Sequence, residues 1–321
     1  MIKKITTVLL LLASVWMLLG ADLQTDSQEE CPHSSWKDGV CTECGAEPEF
    51  YEVLPDKYFE PCPEPGELVN VAYDSRIYYS DNEKPVNHKK AIIYVPYAYD
   101  PETKYDVMVL VPGNGPESHI WMNYPNDRDH PGAKGRDIID NLIYLGELKP
   151  MIFVMIDVPY GSYVERWAYQ IACELRYVLL PMVCSQYSTY AEEPTSEGIV
   201  AAREHFALGG CSNGGIYVYG IGLMFDRDMF SKVMALSPKL IPKEAVEAVS
   251  KEDDPYELQM LYVGAGDREG NTKRSKEQYD QLLAASPWLE EGRNAFYTLV
   301  IGGHNWPTWR THLVNALQLF F

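Results

Sequence analysis

Basic residues are scarce in this chain: 27 Lys and Arg stand against 46 Asp and Glu, a formal charge of −19. No Lys/Arg cluster offsets that balance, so the field repels phosphate backbones and anionic headgroups, and no nucleic-acid partner is expected. Cysteine is sparse too, seven in 321 residues, and a chain of this length buries enough surface to fold without a disulfide framework. Apolar runs long enough to approach a membrane span are missing beyond one near the N-terminus, which excludes a multi-span membrane protein. There is no internal repeat and no low-complexity tract. What is present is ordinary globular composition, 46% apolar and 23% charged, sized for one large domain plus a small appendage.

The one apolar run, Ile5 to Leu19, follows Lys3 and Lys4 and precedes Gly20 and Ala21, the three-part layout of a secretory signal. The 17 residues from Ile5 to Ala21 sit at the lower limit for crossing a bilayer. The expectation is a signal peptide over 1–21, removed on export, leaving a secreted or extracytoplasmic chain with no stable membrane insertion. Residues 22–66 hold Pro48, Pro55, Pro61, Pro63 and Pro65, and proline at that density reads as a linker. Inside it, Cys31, His33, Cys41 and Cys44 have the spacing C-x-H-x7-C-x2-C, closed by Gly45. Two readings stand side by side. Three thiolates and one imidazole would complete a closed structural zinc site, whereas exported thiols could instead form a disulfide and leave one cysteine spare.

From Glu67 to Phe321 the pattern changes. Val69 to Tyr79 and Lys90 to Tyr97 are rich in β-branched and aromatic residues and read as an antiparallel pair. Short, continuously apolar runs follow at Val107–Val111, Met151–Ile156, Phe206–Leu208, Val233–Leu236, Leu258–Val263 and Phe296–Ile301, as in strands buried on both faces. Helical patterns separate them at Asp137–Leu148, at Glu165–Tyr187 with a break at Pro181, and at Gly214–Phe225, Lys273–Ala285 and Trp306–Phe320. The alternation predicts an α/β domain over 67–321, a mostly parallel sheet with helices on both faces.

The chemistry is concentrated in Gly210-Cys211-Ser212-Asn213-Gly214-Gly215, which joins an apolar strand to a helix. This is the G-x-S-x-G nucleophile elbow of the α/β-hydrolase fold in its required setting, with Ser212 raised at a helix N-terminus where backbone N–H groups can hold an oxyanion. A serine hydroxyl needs a base, and in this fold the chain order is Ser, Asp or Glu, then His. Only His304 and His312 lie downstream of Ser212. His304 follows a strand in Gly302-Gly303-His304-Asn305-Trp306 and is the expected base; His312 falls within the last helix as a surface or packing residue. Asp267, after Gly264-Ala265-Gly266, is the expected acid, with Glu269 its rival and Asp253 and Asp254 in a solvated run. The loop Pro112-Gly113-Asn114-Gly115 supplies the second oxyanion donor, so the hole is expected from the N–H groups of Asn114 and Asn213. Trp121, Tyr163 and Trp306 lie beside these groups as flat surfaces for a phenolic acyl group or a sugar.

These motifs together resemble the esterase D-like α/β-hydrolases, among them carbohydrate esterase family 1 feruloyl and acetylxylan esterases and enterochelin esterases. The resemblance runs from about Cys62 to Phe321. It is carried by Ala91-Ile-Ile-Tyr-Val-Pro-Tyr-Ala-Tyr-Asp100, Pro112-Gly-Asn114, Leu148 to Asp157, Glu174 to Pro181, Gly210 to Gly215 and Gly303 to Trp309. It implies serine ester hydrolysis without a cofactor, with Ser212, Asp267 and His304 as nucleophile, acid and base. The substrate it implies is a feruloyl or acetyl ester on plant-wall polysaccharide; a siderophore or peptide-linked ester, or a non-catalytic binding module, are the alternatives. One departure is visible: the family commonly has His-Gly where this chain has Pro112-Gly113, which takes a hydrogen-bonding side chain and an N–H out of the oxyanion loop.

Overall fold

The structure is a computed structural model that describes residues 36–37, 39–79, 85–113, 118–122, 133–158 and 164–321. The expected signal peptide, Cys31, His33, Asn114 and Tyr163 lie outside the described residues.

A two-stranded ladder, β1 (Trp36–Lys37) and β2 (Val40–Cys41), precedes the main sheet. Eight strands then form one sheet: β3 (Glu67–Arg76), β4 (Pro85–Val95), β5 (Val107–Val111), β6 (Ile152–Ile156), β7 (Phe206–Cys211), β8 (Lys232–Leu236), β9 (Met260–Gly266) and β10 (Ala295–Val300). Their spatial order is β10-β9-β8-β7-β5-β6-β4-β3, parallel throughout except that β4 is antiparallel to both β3 and β6. The central strands are unbroken apolar runs because both faces are covered. Along β5, Val107, Val109 and Val111 enter one core layer while Met108 and Leu110 enter the other. From β5 the chain goes to β6 on one side, then to β7 on the other. That reversal opens a crevice at the carboxyl ends of β5 and β7, where open α/β sheets bind ligands.

The helices fall on the two faces as the periodicity predicts. α1 (Gly135–Tyr144) packs Ile138, Ile139 and Leu142 on one face, next to the last helix, Trp306–Phe320, with Leu313, Val314 and Leu317. On the other face lie α2 (Val164–Glu174), α3 (Leu180–Gln186), α4 (Ser196–Ala201), α5 (Asn213–Gly220), α6 (Lys243–Val249) and α7 (Thr272–Ala285), which makes the last helix α8. Pro181 does not break the helical run as expected. A π-turn over Leu175–Leu179 shifts the hydrogen-bond ladder, and Pro181 then stands in the first turn of α3, where a missing N–H costs nothing. His312 is a packing residue, fully buried on α8. Its Nε2 donates to the Ala265 carbonyl, its Nδ1 accepts from the Tyr262 hydroxyl at 2.8 Å, and burial pushes its pKa down to about 4.

The proline-rich segment departs from its expected linker role over its second half. From Phe50 it is a strap laid on the domain, and the described residues from Gly39 onward group with the catalytic region as one unit. Phe50 packs edge-on to Tyr262 and Phe296, Tyr58 is fully buried, and Asn315 of α8 exchanges two 2.9 Å hydrogen bonds with the Tyr51 backbone. The apolar and aromatic residues between the prolines explain this. A solvated linker has nothing to bury, whereas Tyr51, Leu54, Tyr58 and Phe59 join the core layer that includes α1 and α8, and Phe50 packs against β9 and β10.

Candidate active site

β7 ends at Cys211 and α5 begins at Asn213, so Ser212 occupies a one-residue turn with φ 56° and ψ −118°, a region a non-glycine residue enters only under constraint. The constraint is visible around it. A Cβ on Gly214 would lie 2.4 Å from the Pro112 carbonyl oxygen, and one on Gly210 would lie 2.6 Å from the Gly214 carbonyl oxygen. Bare backbone at these positions lets the elbow close against the end of β5. The Ser212 N–H is held by the Leu236 carbonyl at 2.9 Å, which pins the turn to β8.

Beyond β10, Gly302 and Gly303 lead to His304, whose Nε2 stands 2.9 Å from Ser212 Oγ. Its Nδ1 lies 2.8 Å from Glu269 Oε2, and Glu269 has a side chain with no solvent exposure. Ser212, His304 and Glu269 thus form one continuous hydrogen-bonded chain. Burial raises the Glu269 pKa, but hydrogen bonds from His304, Ser237 and the Gly266 N–H outweigh it and hold the carboxyl below the usual glutamate range. The imidazole also meets the Trp309 ring edge-to-face at 5.0 Å.

The structure overturns the expected partnership of His304 with Asp267. Asp267 is nearly half exposed, and its Oδ1 accepts from the Gly302 N–H at 2.8 Å, the main reason its carboxyl also lies low. The cause is strand length. β9 runs to Gly266, three residues beyond the apolar run seen in the sequence, and pairing with the β10 segment goes on through the Asp267 N–H to Val300 O and the Arg268 N–H to Gly302 O. Residue 269 is where the chain turns inward, beneath the imidazole.

Ser237 was not singled out by sequence reasoning and belongs to this site. Fully buried at φ 49°, it donates to Glu269 Oε1 at 2.6 Å and accepts from the Trp309 indole N–H at 2.9 Å. No local motif marks a serine after a strand; only the fold brings β8, the β9 turn and α8 together. Removing its donor in Ser237→Ala costs one hydrogen bond to a buried carboxylate, ~1.5 kcal/mol or about tenfold in kcat/KM. The Glu269 carboxyl pKa then rises, so its ionised form is lost at higher pH as the solution is acidified. The loss of activity that tracks Glu269 protonation, which in the parent falls below the ordinary glutamate range, should move upward in pH, and its failure to move would show that Ser237 only packs.

Of the other expected site residues, Asn213 is the first residue of α5, where N–H groups have no intrahelical acceptor. Gly113 lies against the serine, a Cβ added there meeting Ser212 Cβ at 3.2 Å. Trp306 is half-buried and packs edge-to-face on both Trp309 and Trp121. Trp121 is only 1% exposed and belongs to the core, so it supports Trp306 and has no open face for stacking. Of the four metal-ligand candidates, Cys41 is buried and Cys44 exposed in a turn closed by the Gly45 N–H to the Cys41 carbonyl, with Gly45 at φ 75°. Among the described residues no three or more His, Cys, Asp or Glu come together to hold a metal.

The Esterase family model, described as "Putative esterase", matches residues 85–320. The chain belongs to that family. This esterase is 29% identical to endo-1,4-beta-xylanase Y of Acetivibrio thermocellus, over 84% of its own length and 24% of the xylanase. It is 28% identical to an endo-1,4-beta-xylanase/feruloyl esterase of Xylanibacter ruminicola, over 72% of its length and 29% of that protein. The esterase therefore spans about a quarter of the length of these curated relatives. Its fold superposes on a mutant of the feruloyl esterase module from Clostridium thermocellum complexed with sinapinate, with TM-score 0.71, 26% identity, and coverage of 85% of this chain and 94% of the other. The esterase is a carboxylic ester hydrolase with the α/β-hydrolase fold, as its motifs implied.

Proposed function

We propose that this esterase cleaves feruloyl or acetyl esters carried on plant-wall polysaccharide, through an acyl-enzyme on Ser212. The observation that carries the chemistry is the unbroken chain from Ser212 Oγ through His304 to the buried Glu269 carboxylate. The names of the xylanase relatives and the sinapinate-bound neighbour support the substrate class.

In this reading His304 carries its proton on Nδ1, donated to Glu269, leaving Nε2 free to accept from Ser212. Serine Oγ attacks the ester carbonyl as Nε2 takes its proton, and Glu269 stabilises the imidazolium. The alkoxide is held by the backbone N–H groups of Asn213 and Asn114; Pro112 can offer none. Collapse of the intermediate expels the sugar alcohol, which leaves with the proton from His304. Water then repeats the two steps on the acyl-serine and releases the carboxylic acid. No step calls for a metal or an organic cofactor. A polymeric substrate calls for export, which the Lys3-Lys4 and apolar N-terminal pattern supports. A structural zinc on Cys31, His33, Cys41 and Cys44 remains part of the proposal.

The test is hydrolysis of methyl ferulate, acetylated xylan and a short-chain nitrophenyl ester by the chain from Asp22 onward. Feruloyl or acetyl-xylan turnover is expected. Turnover of the nitrophenyl ester alone would keep the mechanism and reject the substrate.

A further inference from the structure

A cleft of about 730 Å3 opens on the same edge of the sheet as Ser212, toward β4 and β3. Its position follows from register. Gly209 of β7, Leu110 of β5 and Met155 of β6 lie side by side, so Asp157 in the cleft wall stands level with Cys211, two strands away. At the spacing of neighbouring strands this is on the order of 10 Å from the serine.

The cleft has a built floor. The Gln170 amide donates to Glu174 and to the Arg76 carbonyl, both at 2.8 Å, and accepts from the Tyr78 N–H. Lys89 pairs with Glu174 at 3.3 Å, and Asp157 Oδ1 accepts from the Ser118 N–H at 2.9 Å. Both Gln170 N–H groups are used within this network, so Gln170 and Glu174 form a rigid floor, and an incoming hydroxyl-rich ligand meets Asp157, Lys89 and Lys90 in the lining. Lys89 and Lys90 balance Asp157 and Glu174, so the fixed charges favour neither an anion nor a cation. One wall is aromatic. Tyr79 and Trp167 meet edge-to-face at 5.6 Å and both line the cleft. Tyr79 is exposed, and Tyr78, next to it in the chain, stacks on the exposed Tyr177.

Balanced charge, an ordered carboxylate beside ammonium groups and an aromatic wall are the chemistry that recognises a neutral sugar, whose C–H face covers an aromatic ring while its hydroxyls bond to charged and polar groups. We propose that this cleft seats the neutral sugar residues of the chain that bears the ester, and so selects polymer-linked over simple esters; this rests on the function proposed above. The acyl group lies at Ser212, and the sugars lead away across β5 and β6 to Tyr79 and Trp167.

The first test needs no catalysis. Unesterified arabinoxylo-oligosaccharide is titrated calorimetrically into the full chain, into Tyr79→Ala and Trp167→Ala, and into Tyr144→Ala, an exposed tyrosine of α1 outside the cleft. Binding by the parent and by Tyr144→Ala, weakened at least tenfold in the two cleft variants, is expected. No binding by the parent, or equal binding by a folded Tyr79→Ala, overturns the proposal; Tyr79 is at the surface, so its removal leaves the core intact. The second readout is the ratio of KM for a feruloylated oligosaccharide to KM for methyl ferulate, which should rise about tenfold in Tyr79→Ala. Equal increases in both KM values would make the cleft an acyl pocket and overturn the assignment. A parent that binds the oligosaccharide yet hydrolyses no feruloyl or acetyl ester would sink the substrate reading and leave the sugar site standing.

Discussion

Ser212→Ala should abolish turnover of every ester the parent cleaves, with kcat reduced on the order of 10^5-fold and the fold unchanged. The loss is large because, among the described residues, Ser212 Oγ is the one hydroxyl hydrogen-bonded to His304, and removing a nucleophile disables the whole relay at once. Alanine keeps the same backbone requirement as serine at φ 56°, so stability should stay within ~0.5 kcal/mol of the parent. Ser212→Gly separates the two properties. Glycine relieves the strain of a positive-φ position and should stabilise the chain by ~1 kcal/mol while being just as inactive. Activity is followed with methyl ferulate and a nitrophenyl ester, and stability by chemical denaturation. Residual turnover above a hundredth of the parent's in the alanine variant would remove Ser212 from the reaction.

The second large effect distinguishes two neighbouring carboxylates. Glu269→Gln should lower kcat by roughly 10^3- to 10^4-fold, because an amide below His304 can favour the wrong tautomer and cannot stabilise the imidazolium. Gln is nearly isosteric, so the loss should appear without a comparable change in KM. Asp267→Asn should change kcat/KM by no more than about threefold, since the Asn oxygen still accepts from Gly302 and the side chain is half exposed. The opposite ranking would mean that the acid of the relay is Asp267, and that the 2.8 Å contact from Glu269 to the imidazole is structural. pH adds an independent check. The hydrogen bonds on Glu269 hold its pKa below the ordinary value, so its ionised form persists as pH falls to the usual glutamate range and is lost only below it. Acid inactivation of the parent at or above that range should therefore not follow protonation of Glu269.

The elbow was legible because its signal is local: an apolar run, a glycine on each side of the serine, and a helix after it are all contiguous, and each glycine answers a backbone clash the structure shows. The histidine that meets Ser212 was legible by order and scarcity, since two histidines follow Ser212 and one of them falls inside a helix that buries it completely. The central strands announced themselves as apolar runs for the same reason they are central, being covered on both faces. The acid was not legible. Asp267 and Glu269 differ by two positions, and the choice depends on how far β9 stays paired with β10, which is decided by hydrogen bonds between segments more than thirty residues apart.

The same distinction accounts for the remaining differences. Prolines in 48–65 are visible to any reading of composition, but the strap they form depends on a surface of α1 and α8 that exists only once those helices are packed. Trp121 sits near the chemistry in sequence, and tertiary packing turned it into core. Ser237 and the sugar-sized cleft are assembled from strand ends and helices that share no motif. By itself, then, the sequence determined the layer architecture, the tight turn that carries Ser212 and the placing of His304 just past a strand, because periodicity and turn chemistry act within a few residues. Which carboxylate meets His304, the serine hydrogen-bonded to that carboxylate and the shape of the surrounding surface were decided by tertiary structure, because register and burial are set by partners distant in the chain.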